Sequence, residues 1–147
     1  MKKEDLVASA EKLPPFPATA AAEFGEKRQA LVSQVNSLMA SRADIETLVG
    51  PENMEMMKNN HANHGLFIES MLETFDPNVL VETILWVFTA YKSRNFHDNY
   101  WVAQLNSWIT AIESSLSNES AESVMKLYHW MVIHIPQFSA ITGESQA

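Results

Sequence analysis

Apolar residues recur every three or four positions along most of this chain, which is the spacing of one face of an α-helix. The clearest run is a seam at steps of three and four that includes two histidines: Met54, Met57, His61, His64, Ile68, Met71 and Phe75. No stretch alternates with period two for long enough to predict a strand. The pattern predicts an all-α protein, an antiparallel bundle of four to five main helices with short loops. Globin-like packing of five or six helices is a variant of this prediction.

Prolines and capping residues divide the pattern into segments. The predicted helices cover about 18–42, 51–75, 77–92, 98–116 and 118–135. Residues 1–17 are predicted to form a partly flexible N-terminal arm, because Pro14, Pro15 and Pro17 cannot continue a helix. Residues 18–142 form the single predicted helical domain, and residues 143–147 a frayed tail.

The composition excludes several classes of protein. The 147 residues include no cysteine, which excludes disulfides, thiolate metal sites and a cysteine nucleophile. A net charge of -8 argues against binding to nucleic acid or to an anionic membrane surface, since both need clustered Lys and Arg. The longest apolar stretch, 79–91, is too short to span a membrane. No targeting segment is apparent, so we expect a cytoplasmic protein.

The most informative feature is the pair His61 and His64. Their spacing puts both imidazoles on one face of the second helix, in a seam otherwise made of Met, Ile and Phe. A buried imidazole costs free energy unless its nitrogens find partners. The pair is therefore interpreted as part of a ligand pocket, as part of an oligomer interface, or as a structural contact to facing polar side chains such as Tyr91, Tyr100, Tyr128 or Asn106.

Aromatic and methionine side chains at helical spacing are suited to line such a pocket, although the same residues fill the cores of helical bundles. The predicted ligand-binding residues are His61, His64, Met57, Ile68, Tyr91, Trp101, Trp108, Tyr128, Met131 and His134. For His134 the alternative is a histidine that only complements the dipole at a helix end. Lys92 and Arg94 form an isolated basic patch that is predicted to contact an anionic group or a partner, or else only to neutralise a helix end.

Spacing gives little support to a metal site or an enzyme. Glu-x-x-His and His-Glu-x-x-His are absent from the sequence, so haem or a divalent metal held by His61 and His64 is a minority alternative. The sequence contains no Gly-rich phosphate loop and no Gly-x-Ser-x-Gly elbow, which disfavours an enzyme.

Together these patterns predict a small cytoplasmic, non-catalytic binding or sensor module. It would hold a small molecule or a partner segment in a cavity lined by His, aromatic and Met side chains. A role in signalling is expected for such a module. One alternative is a His-ligated metal or haem protein. The other is a homodimeric structural interaction protein.

Overall fold

The computed structural model describes residues 1–145, and all regular secondary structure in this range is helical. The all-α prediction is confirmed. No helix within residues 1–145 is both long enough and apolar enough to cross a bilayer. The helices are α1 (Lys3–Ala10), α2 (Ala18–Ala40), α3 (Ile45–Val49), α4 (Met54–Glu73), α5 (Pro77–Ser93), α6 (Asn99–Ser115), α7 (Asn118–Ile133) and α8 (Ile135–Ser145).

The long helices α2, α4, α5, α6 and α7 match the predicted segments to within a few residues. Periodicity did not predict the three shorter ones. The segment predicted as an arm contains α1, which buries Leu6 and Ala10. Pro136 follows the end of α7 as expected, yet it also stands in the first turn of α8, where proline is tolerated. Of the predicted frayed tail, residues 143–145 belong to α8, and residues 146–147 lie outside the described range.

Side-chain caps mark the first turns of α5 and α7. The Asp76 carboxylate accepts hydrogen bonds from the backbone N–H groups of Asn78 and Val79, and Pro77 takes the first turn of α5. At the start of α7, the Ser117 hydroxyl accepts from the Ser120 N–H at 3.3 Å. These caps satisfy backbone donors that have no partner inside a helix.

The helices pack as a bundle with a second layer. The central helix α2 contacts α4, α6 and α7, whereas α5 packs on α1 and α8. α4 and α5 are consecutive, joined by the short segment 74–76, yet they rest on different neighbours. The two helices therefore diverge beyond their connection, and the space between them holds the candidate site.

Candidate ligand-binding cavity

A cavity of about 300 Å³ lies between α4, α5 and α6, with one further side chain from each of α7 and α8. Trp86 lines it and is 71% exposed, so this residue marks the side of the cavity nearest to solvent. The lining residues are Asn63, His64, Phe67, Thr83, Ile84, Trp86, Val87, Phe88, Tyr91, Trp101, Gln104, Leu105, Met131 and Phe138.

Stacked aromatic rings form one wall of the cavity. The Trp101 indole lies parallel to the Phe88 ring at 4.1 Å between centroids, and nearly parallel to the Tyr91 ring at 5.0 Å. Phe138 of α8 meets Phe88 edge-on at 5.5 Å. Rings packed against one another in this way make this wall rigid and apolar.

No charged side chain lines the cavity. The lining set contains no Asp, Glu, Lys or Arg. Burial raises the pKa of the Tyr91 phenol, so its hydroxyl stays neutral in ordinary buffers. An ionic ligand would lose its hydration in the cavity without gaining an oppositely charged side chain as a partner, so the cavity disfavours ions.

His64 is the titratable histidine on the cavity wall. Its Nε2 lies 2.8 Å from the Tyr128 hydroxyl, a fully buried group that has no other acceptor within residues 1–145. The hydroxyl therefore donates to Nε2, which places the imidazole proton on Nδ1. Burial, together with the neighbouring His61, lowers the pKa of His64 to about 3, so the ring is neutral at pH 7.

His61 lies one turn before His64 but does not line the cavity. Its Nδ1 donates to the Asn36 side-chain oxygen at 2.7 Å, and its Nε2 accepts from the Tyr100 hydroxyl at 3.1 Å. Burial lowers the pKa of His61 to about 4. Both ring nitrogens have partners, so His61 joins α4 to α2 and α6 as a neutral structural residue.

Gln104 is a buried polar residue of the cavity wall whose side-chain oxygen lacks a partner. The side chain is only 2% exposed, and its Oε1 is enclosed without a hydrogen bond. No hydrogen bond to its amide nitrogen occurs within the described range either. A buried amide without hydrogen bonds costs about 1–3 kcal/mol, judged from mutational data on other proteins. The fold therefore keeps an uncompensated polar atom enclosed by protein beside the cavity.

The predicted ligand-binding residues separate into three groups. His64, Tyr91, Trp101 and Met131 line the cavity. Behind it, His64 contacts the Trp108 ring at 4.8 Å and the Tyr128 ring at 5.7 Å between centroids. The remaining members lie elsewhere in the buried interior: Met57, Ile68, His61 and His134.

His134 belongs to a separate contact with α1. Its Nδ1 donates to the Trp130 carbonyl at 2.7 Å, and its Nε2 lies 3.5 Å from the Ser9 hydroxyl. Within residues 1–145, no group of three His, Asp or Glu side chains is placed to hold a metal ion. Lys92 and Arg94 are exposed at the end of α5 and do not line the cavity.

Sequence reasoning missed most of the α5 wall and the Gln104 amide. The apolar periodicity of α5 does not show which of its residues face α4. Gln104 had a usable signal, because it interrupts the apolar run of α6 between Trp101 and Leu105 as the histidines interrupt the seam of α4. A polar residue in a buried stripe is a candidate for a ligand contact.

Comparison with known proteins found no match among protein-family models, curated proteins or solved structures. The function is therefore inferred from the geometry of the cavity.

Proposed function

We propose that this protein is a non-catalytic binding module that holds a small, uncharged and largely apolar molecule in the cavity between α4, α5 and α6. The observation that carries the proposal is the cavity itself, with its stacked aromatic wall and no charged lining residue. Small-molecule sites are typically concave and apolar, with a few polar groups that orient the ligand. Gln104 and His64 are such groups here.

The volume limits the size of the ligand. An engineered apolar cavity of about 150 Å³ in another protein binds benzene. A cavity of about 300 Å³ has twice that volume and fits a bicyclic ring system. Quinoline, an uncharged planar bicycle, is a suitable first probe.

The test is scanning calorimetry of the purified protein with and without quinoline, supported by isothermal titration. A ligand at ten times its Kd stabilises the folded state by about 1.4 kcal/mol. For a chain of this length, the expected rise in Tm is about 3–6 °C. No rise in Tm and no binding heat at the highest soluble quinoline concentration would remove the proposal.

Two matched variants on α5 locate the binding. Val87→Phe adds a ring to a residue that lines the cavity, and Val79→Phe makes the same change at an exposed residue on the same helix. We expect Val87→Phe to weaken quinoline binding and Val79→Phe to bind as the wild type does. Equal binding by both variants would place quinoline elsewhere. A role as a sensor, a cytoplasmic location and a homodimeric state stay predictions of the sequence.

A further inference from the structure

One ring nitrogen of His64 has no partner and is not enclosed by protein. His64 is half-buried and lines the cavity. Its Nε2 lies 2.8 Å from the Tyr128 hydroxyl, whereas its Nδ1 has no hydrogen-bond partner within residues 1–145. The polar atoms of this range that are enclosed without a partner do not include Nδ1. This nitrogen therefore keeps accessible surface on a residue of the cavity wall.

The packing behind His64 leaves the Nδ1 edge for the cavity. Trp108 packs against the imidazole at 4.8 Å between centroids, and Tyr128 occupies its Nε2 edge. Neither of these two residues lines the cavity. The two nitrogens of an imidazole stand on separate corners of the ring and point in widely different directions. With Nε2 turned towards Tyr128, Nδ1 is turned away from it, on a ring that borders the cavity.

Tyr128 also determines which nitrogen carries the proton. Its fully buried hydroxyl has no other acceptor in the described range, so it donates to Nε2. The proton of the neutral imidazole is then on Nδ1, which donates and does not accept. The other polar side chains of the wall are hydroxyls and amides, each with a donor and an acceptor. They are Asn63, Thr83, Tyr91 and Gln104.

We infer that the cavity selects an uncharged ring system with a hydrogen-bond acceptor on its edge, and that this acceptor pairs with the Nδ1–H of His64. Tyr128 is a positioning residue, because it determines the proton position of a nitrogen that it does not touch. A ligand with an N–H at the same place would face a second donor, and both would stay unpaired at a cost in binding free energy. This inference rests on the proposed function, because it specifies the ligand of the same cavity.

The test compares quinoline with indole by isothermal titration. Both are uncharged planar bicycles, but the quinoline nitrogen accepts a hydrogen bond and the indole N–H donates one. We expect the wild type to bind quinoline at least about tenfold more tightly than indole. In Tyr128→Phe the imidazole can carry its proton on Nε2 and accept at Nδ1, so the two Kd values should agree within about threefold.

Tyr100→Phe is the matched control. It removes the buried hydroxyl that pairs with His61, and neither Tyr100 nor His61 lines the cavity. This variant loses the same group as Tyr128→Phe but leaves the bond between Tyr128 and His64 in place. It should keep the wild-type ratio of the two Kd values.

Nitrogen-15 NMR of the histidine side chains tests the proton position directly. The signals of His64 are identified by their loss in His64→Gln. In the wild type they should show a protonated Nδ1 and an unprotonated Nε2, and quinoline should shift the Nδ1 signal. A protonated Nε2 in the wild type would overturn the inference whatever the affinities are.

The affinities separate this inference from the proposed function. If indole binds the wild type as tightly as quinoline or more tightly, the inference is overturned and the cavity remains a site for apolar bicycles. If Tyr128→Phe keeps the full preference for quinoline, or Tyr100→Phe loses it to the same extent, the preference has another origin and the inference is again overturned. If neither molecule binds the wild type, the proposed function itself fails.

Discussion

Acid should destabilise this protein through the two neutral histidines of α4. The folded-state pKa values are about 4 for His61 and about 3 for His64, against about 6.5 for an unperturbed histidine. The unfolded chain therefore binds more protons than the folded one between these values. The free energy of unfolding therefore keeps the full contribution of the two neutral histidines above about pH 6.5. It loses this contribution as the pH falls toward their folded-state pKa values of about 4 and about 3.

The expected magnitude follows from the proton uptake. Between pH 7 and pH 5, each histidine of the unfolded chain becomes protonated while its folded counterpart stays neutral. Each then lowers the free energy of unfolding by about 2 kcal/mol, and the pair by about 4 kcal/mol. That is a large part of the 5–15 kcal/mol typical of a folded domain. Hydrogen bonds from Ser117 lower the pKa of Glu23 to about 2. Glu23 therefore changes the free energy of unfolding mainly below pH 4.5 and contributes little between pH 7 and pH 5.

Urea unfolding followed by circular dichroism at pH 7, 6 and 5 measures the effect. The double variant His61→Gln/His64→Gln should lose less than about 1 kcal/mol over the same range, because a Gln oxygen can accept from Tyr100 or Tyr128 without titrating. His129→Gln, an exposed change on α7, should keep the wild-type dependence. An equal loss of stability by the double variant and the wild type between pH 7 and 5 would show that His61 and His64 do not cause the effect.

Two further predictions concern the fold. Leu6→Ala should lower the free energy of unfolding by about 2–5 kcal/mol in urea titration, because Leu6 of α1 is fully buried. A loss of less than about 0.5 kcal/mol would contradict the packing of α1 against the rest of the protein. Gly50→Ala should cost about 1–3 kcal/mol, because Gly50 has φ 86° and ψ 155°, a region nearly restricted to glycine, and an added Cβ would lie 3.2 Å from the Asn53 amide. Gly143→Ala is its control in the same assay, since the nearest contact of its Cβ is the Lys92 ammonium at 3.9 Å and no loss is expected.

The long helices were predictable because their signal is local. A stripe such as Leu80, Ile84 and Val87 repeats along one face over several turns, whatever surrounds the helix. α1 and α8 lack that length. Two buried residues, Leu6 and Ala10, do not establish a period, and helix α8 begins directly after α7, where a proline reads as a stop.

The cavity was not predictable in the same way, because it depends on the angle between helices. The apolar seam of α4 predicted His61 as a candidate but not whether polar partners would reach it, and Gln104 was not predicted. Asn36 and Tyr100 come from other helices to satisfy His61, and none comes to Gln104. That difference is a property of packing, and it separates a structural polar residue from a candidate ligand contact.

The position of α5 has a mechanical consequence. This helix supplies six of the residues that line the cavity, and it packs against α1 and α8, the first and last helices of the described range. Lys3 forms an ion pair with Glu82 at 2.9 Å, and Phe138 packs edge-on against Phe88. No residue of α1 lines the cavity, so displacing α1 would change the position of α5, and with it the width of the cavity, while leaving every lining residue in place; α8, by contrast, contributes Phe138 to the wall itself.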